Sequence, residues 1–397
     1  MKYRKFGSLD WEVSALGFGC MRLPQRRINK LRAETNESVK IIRSGIDQGI
    51  NYIDTAWPYH LGDSEKILGE ALQNGYRKKV KLVTKLPVFL LRKSEGFDSY
   101  LETQLKRLQA DYLDIYLMHG LDKGSFEKAK RLGLFEKFEK AKKEGLINHI
   151  GFSFHDTLPV FKEIIDYYPW DMTQIQYNYM DTGIQATTDG LKYAHSKDIA
   201  VVVMEPLKGG KLANPPNEAL DLLNVSEIDR TPVDWALQFL WDKPEVACVI
   251  SGMGSQQMVD ENCASADRSG IGSLSEMENQ VIQKVADIYR EKILVPCTTC
   301  NYCMPCPVGV DIPGNFATLN NVSMETGWLM TYRARRKYNI FEKNPKKVDS
   351  EKPNGNASVC INCGKCLEKC PQHIQIPDEL KKVDAILGKG KKISDYY

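Results

Sequence analysis

The sequence predicts an α/β protein in two parts, a closed (β/α)8 TIM barrel followed by a small, mostly α-helical domain. Three observations predict it: eight short apolar runs alternate with amphipathic segments as far as about residue 266, the runs are continuously apolar, and eight of the 11 cysteines lie in two short runs near the C-terminus. Eight β-then-α units over about 250 residues are typical of such a barrel. Strands without polar alternation indicate a parallel sheet that is buried on both faces.

Each barrel unit is visible as a strand followed by a helix. The candidate strands are Ser14–Gly19, Asn51–Ala56, Val80–Leu86, Leu113–Gly120, His149–Phe154, Met172–Asn178, Ala200–Pro206 and Val246–Met253. Helical spacing of apolar residues is found at Glu37–Gln48, Ser64–Asn74, Tyr100–Leu108, Phe135–Lys143, Leu158–Tyr168 and Val233–Trp241. A doubly wound open sheet is the alternative, weakened because no G-x-G-x-x-G follows the first strand.

The chain outside these units is expected to complete the two domains. Tyr3–Gly7 and Trp11–Val13 flank a turn and predict a hairpin that plugs the barrel floor. The barrel is expected to occupy residues 1–290 and the second domain residues 291–397. In the second domain, helical spacing near Thr331–Ile340 precedes a loop rich in Lys, Pro and Asn at Glu342–Asn356. The longest barrel loop, Lys208–Asp229, follows the seventh strand, and its length suggests that it covers the site.

The two cysteine runs predict a ferredoxin-like iron–sulfur domain with two [4Fe–4S] clusters. The first run is Cys297, Cys300, Cys303 and Cys306, and the second is Cys360, Cys363, Cys366 and Cys370. The second run has the C-x2-C-x2-C-x3-C-P spacing of bacterial ferredoxins, and the first has one residue fewer before its last cysteine. Disulfides are disfavoured because no signal peptide is apparent, and zinc because each run holds more cysteines at x2 spacing than one zinc site needs.

A proline after the last cysteine of each run turns the chain away, so that this thiolate can point to a different iron. In two-cluster ferredoxins the fourth cysteine of each run serves the other cluster. We therefore expect Cys370 to complete the first site and Cys306 to complete the second. A self-contained first cluster remains an alternative because the first run is shortened. The three remaining cysteines, Cys20, Cys248 and Cys263, lie on apolar stretches and are expected to be buried small hydrophobes.

Composition narrows the class of protein. The 397 residues have 42% hydrophobic and 26% charged residues, as in an ordinary soluble protein. A net charge of +3 argues against a dedicated nucleic-acid binder. No apolar stretch reaches the length of a membrane span. The expected location is therefore the cytoplasm, with no nucleic-acid or membrane partner.

Four polar residues fall at the carboxyl ends of consecutive barrel strands, where TIM barrels place their chemistry. They are Asp54, Tyr59, Lys85 and His119. A carbonyl that accepts hydride develops negative charge on its oxygen and needs a proton donor beside it. A tyrosine next to an ammonium suits this task, because the ammonium favours the phenolate. Asp54 would hold Lys85 by an ion pair, and His119 would hydrogen-bond the carbonyl oxygen.

With these residues the sequence resembles the aldo-keto reductases from the N-terminus to about residue 290. The matching motifs are Asp54-Thr55-Ala56-x-x-Tyr59, Gly62-x-Ser64-Glu65, Thr84-Lys85, Leu117-Met118-His119, Gly151-Phe152-Ser153, Gln176-Tyr177-Asn178, Pro206-Leu207 and Glu261-Asn262. The cysteine-rich tail resembles a branch of the family with a ferredoxin-like domain. The resemblance implies an NAD(P)H-linked oxidoreductase that reduces a small aldehyde or ketone, with the four residues as its catalytic tetrad and Tyr59 as general acid.

The resemblance also implies a dinucleotide laid across the barrel mouth. The implied contacts are Gly19, Met21, Ser153, Gln176, Met204, Pro206, Leu207, Gly252, Ser255, Glu261 and Asn262. Ser153 and Gln176 would hold the carboxamide, and Glu261 and Asn262 would lie near the adenine. This sequence has Phe154 where the family has Asn, Met204 where an aromatic usually stacks, and no cation in Gly252–Met258 for a 2′-phosphate. NADPH and NADH therefore both remain candidates.

The two parts of the chain predict different electron chemistry. A nicotinamide gives two electrons as hydride, whereas a [4Fe–4S] cluster passes one, and coupling them normally needs a flavin or a radical centre. A flavin is therefore a further candidate cofactor, and a ferredoxin or other redox protein a candidate partner. The clusters are otherwise expected to be structural or sensory. The second functional hypothesis is a ferredoxin-type electron-transfer or redox-sensing protein in which the barrel is a scaffold or uses a flavin.

Overall fold

The structure, a computed structural model, describes residues 1–26, 31–224, 228–324, 328–344 and 353–397. Strands β1 and β2 form an antiparallel hairpin, and β3 to β10 form a closed parallel barrel in the order β10-β3-β4-β5-β6-β7-β8-β9. The strands are β1 Tyr3–Phe6, β2 Leu9–Ser14, β3 Leu16–Gly19, β4 Tyr52–Asp54, β5 Lys81–Leu86, β6 Leu113–Leu121, β7 Ile147–Phe154, β8 Met172–Gln176, β9 Ala200–Met204 and β10 Val246–Ser251. The predicted barrel is confirmed, and the doubly wound alternative is wrong.

Fourteen α-helices are found in the described residues, and all the helices expected from apolar spacing are among them. They are α1 Thr35–Asp47, α2 Asp63–Ala71, α3 Gly96–Leu108, α4 Lys123–Arg131, α5 Leu134–Lys143, α6 Leu158–Tyr167, α7 Thr187–His195, α8 Asn217–Asn224, α9 Pro232–Trp241, α10 Gln256–Asp267, α11 Glu276–Lys292, α12 Ile312–Met324, α13 Trp328–Ile340 and α14 Ile376–Val383. In the described ranges, no helix is both long and apolar enough to cross a membrane.

Helix α6 shows how an outer helix is fixed to the barrel. A proline stands in its first turn, where the missing N–H is not needed for the helix. Its buried face carries Phe161, whose ring lies 4.9 Å from that of Phe154 on β7. Phe154 is fully buried, so this departure from the family's Asn serves the contact between helix and barrel.

The hairpin closes the barrel floor as predicted. Phe6 and Val13 are fully buried in one apolar cluster with Tyr52, Ile115 and other inward-facing strand residues. Trp11 stacks on Phe6 with ring centroids 4.4 Å apart. Burial of each large apolar side chain contributes about 1.5–3 kcal/mol, so the floor is a packed core.

Contacts divide the chain into two compact units, residues 1–207 with 233–276 and residues 208–232 with 277–397. The division does not coincide with the boundary expected at 290/291. Helix α11 belongs to the second unit because Tyr289 donates to the Lys211 carbonyl (2.9 Å) and Lys292 pairs with Glu218 (3.0 Å). The loop Lys208–Asp229 joins the same unit through these contacts, and its residues 225–227 lie outside the described residues.

The second unit has its own core. Helices α12 to α14 bury Phe316, Tyr338 and Leu380 in one apolar cluster that also touches several of the cysteines. The buried Asn315 side chain donates to the Gly355 carbonyl (3.1 Å), which ties helix α12 to the chain that leads into the second cysteine run. Most of the predicted loop 342–356 lies outside the described residues, which omit 345–352.

Candidate active site and iron–sulfur sites

The four strand-end residues lie together at the barrel mouth, all buried. Asp54 ends β4, Lys85 and His119 lie on β5 and β6, and Tyr59 begins the turn that follows β4. The Lys85 ammonium donates to an Asp54 carboxylate oxygen at 2.7 Å and to the Tyr59 hydroxyl at 3.4 Å. The rings of Tyr59 and His119 meet edge to face, with centroids 6.0 Å apart.

The turn after Tyr59 has a strained backbone. His60 and Leu61 both adopt left-handed conformations, with φ of 52° and 56°. Such a conformation costs about 1–3 kcal/mol for each residue that is not glycine, and it persists only where the surroundings impose it. The turn brings the Tyr59 hydroxyl back toward the end of β5, within 3.4 Å of the Lys85 ammonium.

Burial controls the charges of the site. It lowers the pKa of the Lys85 ammonium and raises the pKa of the Asp54 carboxyl, and the ion pair between them opposes both shifts. Burial, reinforced by the charge of Lys85, lowers the pKa of His119 well below 6.5. His119 is therefore a neutral imidazole at neutral pH, able to donate one hydrogen bond and accept another.

A buried carboxylate from helix α2 supports the end of β5. Glu65 accepts hydrogen bonds from the Thr84 hydroxyl (2.8 Å), from the Gln104 amide (2.5 Å) and from Arg107 (3.0 Å). Gln104 also donates to the Lys85 carbonyl at 3.1 Å. This network fixes the backbone that carries Lys85. The sequence analysis missed Gln104, although it stands on the apolar face of helix α3, where a polar residue indicates a buried hydrogen-bonding role.

A second support joins the ends of β3 and β4. The Ser64 hydroxyl donates to the Cys20 carbonyl (3.0 Å) and lies 2.8 Å from the Thr55 hydroxyl. Cys20, Cys248 and Cys263 are all buried, as predicted. Burial raises the pKa of each of these thiols, so they are inert small hydrophobes rather than nucleophiles.

The two residues predicted to hold a carboxamide are buried and already hydrogen-bonded. Ser153 accepts from the Gly120 amide at 2.8 Å, which leaves its hydroxyl hydrogen to donate. The Gln176 side chain donates to Asp181 (2.8 Å) and accepts from Gln185 (3.2 Å). Asp181 and Gln185 gave no sequence signal, because they come from the loop after β8.

The remaining predicted cofactor residues lie at the ends of β3, β9 and β10 and on helix α10. Gly19 and Pro206 are buried, whereas Met21, Met204 and Leu207 are half-buried. Gly252 is exposed, and the half-buried Ser255 caps helix α10 by accepting from the Met258 amide. Asn262 is buried and donates to the Ser251 hydroxyl (3.1 Å), and the exposed Glu261 accepts from Gln257 (2.8 Å).

Two aromatic residues that the sequence analysis did not select flank the tetrad. Phe89 is 53% exposed, and its ring centroid lies 5.9 Å from that of His119. Trp57 stands edge-on to Tyr100, and the Arg107 guanidinium lies 3.8 Å from the centre of its indole ring. Phe89 thus adds apolar surface beside His119, whereas Trp57 packs against helix α3.

The cysteines line two cavities in the second unit. The first cavity is lined by Cys297, Cys300, Cys303 and Cys370, together with Ile312 and Phe316, and has a free volume of about 10 Å³. The second is lined by Cys306, Cys360, Cys363 and Cys366, touches Cys303, and has a free volume of about 230 Å³. Each cavity thus combines three thiols of one run with the last thiol of the other.

The thiols of each cavity affect one another electrostatically. Burial raises the pKa of Cys303, and Cys300, Cys297 and Cys370 raise it further. In the second group burial raises the pKa of Cys366 to about 11, with a smaller contribution from the thiols around it. Thiolates are the ligands of iron–sulfur clusters. Four cysteines at each cavity are the right donor type for such a group, because bound iron would compensate the charge of thiolates that otherwise repel one another.

Comparison with known proteins identifies both parts of the chain. The aldo/keto reductase family model matches residues 15–287, and the 4Fe-4S dicluster domain model matches residues 296–376. The oxidoreductase YqkF of Bacillus subtilis (strain 168), itself uncharacterized, is 29% identical over 323 residues, which cover 73% of this chain and 99% of YqkF.

Solved structures agree with these matches. The holo form of aldo-keto reductase AKR11C1 from Bacillus halodurans aligns with a TM-score of 0.60 and 28% identity, over 72% of this chain and 96% of that one. An aldo/keto reductase from Klebsiella pneumoniae, solved in complex with NADP and acetate, gives a TM-score of 0.60 and 26% identity, over 72% and 95%. The chain therefore belongs to the aldo/keto reductase family and is an oxidoreductase whose barrel is followed by a 4Fe-4S dicluster domain.

Proposed function

We propose that the barrel reduces an aldehyde or ketone by hydride transfer, with a nicotinamide dinucleotide as the hydride source and Tyr59 as the general acid. One observation carries the proposal. The Tyr59 hydroxyl lies 3.4 Å from the Lys85 ammonium, which is paired with Asp54 at 2.7 Å. A phenol in contact with a held ammonium is suited to giving up its proton, because the ammonium stabilises the phenolate that remains.

Each residue at the barrel mouth has a separate role in the proposed reaction. A bound nicotinamide would supply the hydride to the carbonyl carbon. Tyr59 gives its hydroxyl proton to the carbonyl oxygen, so that the product is an alcohol, and the phenolate later regains a proton from water. The neutral His119 donates a hydrogen bond to the same oxygen and orients it. Ser153 and Gln176 would hold the carboxamide, and the other predicted contacts, at the strand ends and on helix α10, would hold the remainder of the dinucleotide.

The walls of the mouth narrow the class of substrate. The half-exposed Phe89 offers apolar surface beside His119, with its ring centroid 5.9 Å from that of the imidazole. A small carbonyl compound with an apolar or aromatic substituent fits this environment better than an ionic one. The Klebsiella pneumoniae enzyme, solved with NADP, supports a nicotinamide dinucleotide as the second substrate.

Replacement of Tyr59 by Phe tests the proposed function. We expect kcat for aldehyde reduction to fall by about 10²- to 10⁴-fold, because the proton donor is lost while the ring stays. Dissociation constants for NADPH and NADH should remain unchanged. Tyr112→Phe, at a partly exposed tyrosine on the way to β6, is the matched control and should keep full activity. Turnover of Tyr59→Phe within a few-fold of the parent would remove Tyr59 from the mechanism.

We further propose that the second unit holds two [4Fe–4S] clusters, each bound by three cysteines of one run and the last cysteine of the other. The lining of the two cavities supports this pairing over a self-contained first cluster. Bound clusters supply one-electron chemistry, which the hydride step does not need. We therefore assign the reduction to the barrel alone and a structural or sensing role to the clusters.

One observation favours a second candidate function, exchange of electrons with a redox protein. Cys363 is exposed, and the neighbouring Ile361 is 61% exposed, so a cluster held here would lie close to the surface. Reduction of the clusters by NADPH in an anaerobic titration followed by electron paramagnetic resonance, with no aldehyde present, would support it. A flavin released on denaturation would supply the required adaptor.

A further inference from the structure

The loop after the last barrel strand, β10, leaves space for a side chain from the turn that follows β3. A Cβ atom at Gly252 would lie 2.7 Å from Cγ of Arg22, and one at Gly254 would lie 3.1 Å from the Arg22 carbonyl oxygen. Real Cβ atoms essentially never come as close as 2.7 Å, so Gly252 leaves room for the Arg22 side chain beside the end of β10, and a side chain at Gly254 would meet a tight contact. This placement follows from the barrel order, since β10 pairs with β3, and the turn Cys20–Arg22 follows β3 directly.

The charge of Arg22 reaches the barrel mouth. Burial lowers the pKa of His60 to about 4, and the positive charge of Arg22 contributes to this shift against the opposite effect of Asp63. His60 follows Tyr59 directly, so Arg22 lies within electrostatic range of the turn that carries Tyr59. Asp63 is bonded to Arg32 at 2.9 Å. Arg22 itself is half-buried.

The neighbouring helix offers further donors to an anion at this place. Helix α10 has 12 residues and begins just beyond Gly254, with no acidic residue in its first turn. The first amides of a helix point outward and favour negative charge. The loop itself contributes no cation between Gly252 and Met258. A phosphate placed here would meet amides from one strand end and a guanidinium from the other.

We propose that Arg22, in the turn after β3, binds a phosphate of the dinucleotide. It would supply the cation that the loop after β10 lacks. This inference rests on the proposed function. A guanidinium presents two parallel N–H groups to phosphate oxygens, which a lysine or an amide cannot reproduce. Two phosphate groups have this chemistry, the 2′-phosphate of NADPH and the pyrophosphate that NADPH and NADH share.

Binding measurements on the full chain with its clusters test the proposal. Dissociation constants for NADPH and NADH would be measured by anaerobic calorimetry for the parent, Arg22→Gln and Arg22→Lys. We expect Arg22→Gln to weaken binding by about 10- to 100-fold, the usual effect of a hydrogen bond to a charged group, and Arg22→Lys to weaken it less. Arg92→Gln, an exposed arginine after a different strand, is the matched control and should bind like the parent.

The two nucleotides distinguish the phosphates. A loss for NADPH alone assigns Arg22 to the 2′-phosphate and makes it the residue that selects the cofactor. An equal loss for both assigns it to the pyrophosphate. Unchanged binding of both by Arg22→Gln, with a parent that binds them, overturns the role of Arg22 and leaves the proposed function standing. A parent that binds neither nucleotide overturns both proposals.

Discussion

The barrel site and the cysteine sites of this chain are stabilised in opposite ways. In the barrel, each functional group is held by another protein group: Asp54 holds Lys85, and Glu65 holds the end of β5. In the second unit, burial raises the pKa of Cys303 and Cys366, and the thiols around them raise it further, because neighbouring thiolates repel. The comparison teaches that the four residues at the barrel mouth are held by protein contacts alone, whereas the cysteine sites, on the proposed assignment, would gain their stability from bound metal.

The ion pair at the barrel mouth illustrates the first case. Both partners are at least 96% buried, and a buried charge is stable only with its partner present. Loss of either partner from such a pair costs about 3–5 kcal/mol. The pair therefore has a geometric purpose, which is to keep an ammonium beside Tyr59 whether or not a substrate is bound.

The largest effect is expected on iron content, when the last cysteine of either run is replaced. Cys370→Ser should remove the first cluster and leave the second, and Cys306→Ser should do the reverse. Each variant should then hold about half of the parent's iron by metal analysis, because each thiol belongs to one cavity. Aldehyde reduction by the barrel should persist in both variants.

A related variant tests whether the last cysteine of each run serves the other cluster. Iron analysis of the double variant Cys300→Ser with Cys306→Ser shows which cluster Cys306 serves. The crossed pairing predicts loss of nearly all of the iron, because the two substitutions then affect different clusters. A self-contained first run predicts that half of the iron is kept. If Cys306→Ser removed the cluster bound by Cys297, Cys300 and Cys303, the first run would be self-contained and the crossed pairing would be wrong. Cys248→Ser, at a buried cysteine of the barrel core, is the control and should keep all of the iron.

A smaller effect is expected from two adjacent glycines at the start of the loop that joins the second unit. Gly209 and Gly210 both have positive φ, so alanine is strained at either position. A Cβ at Gly209 would lie only 2.2 Å from the carbonyl oxygen of Thr298, in the first cysteine run, whereas one at Gly210 meets nothing within 4 Å. Gly209→Ala should therefore destabilise the second unit by about 1–3 kcal/mol more than Gly210→Ala.

Denaturant unfolding followed by the visible absorbance of the clusters measures this difference. The Gly210→Ala variant carries the strain of positive φ without the clash, so it isolates the contact with Thr298. Equal midpoints for the two variants would show that the loop is not packed against the first cysteine run. The activity of the barrel serves as a check that the first unit remains folded.

The sequence was sufficient to predict that the four residues lie together, because strands that follow one another along the chain are neighbours in the barrel. Asp54, Lys85 and His119 end consecutive strands, and consecutive parallel strands of a closed barrel are neighbours. The cysteine runs were equally readable, because cluster ligation needs a fixed local spacing. In both cases a local pattern determines the geometry.

The residues that sequence reasoning missed reach their places through tertiary packing. Gln104 and Arg107 approach the site from helix α3, and Arg22 lies beside the end of β10. The compact units also differ from the predicted domains through a long-range contact. Tyr289 bonds to Lys211 across 78 positions of the chain, and no local pattern predicts such a contact.

Aldehyde reduction by iron-depleted protein tests the central claim most directly. The chain would be freed of iron by anaerobic chelation, and NADPH-dependent reduction of a simple aromatic aldehyde would be compared before and after reconstitution of the clusters. The account predicts kcat within a few-fold of the parent without iron, because the barrel site is held by its own contacts. Reduction that disappears with the iron and returns with it would contradict a self-sufficient barrel and would place the clusters in the reaction.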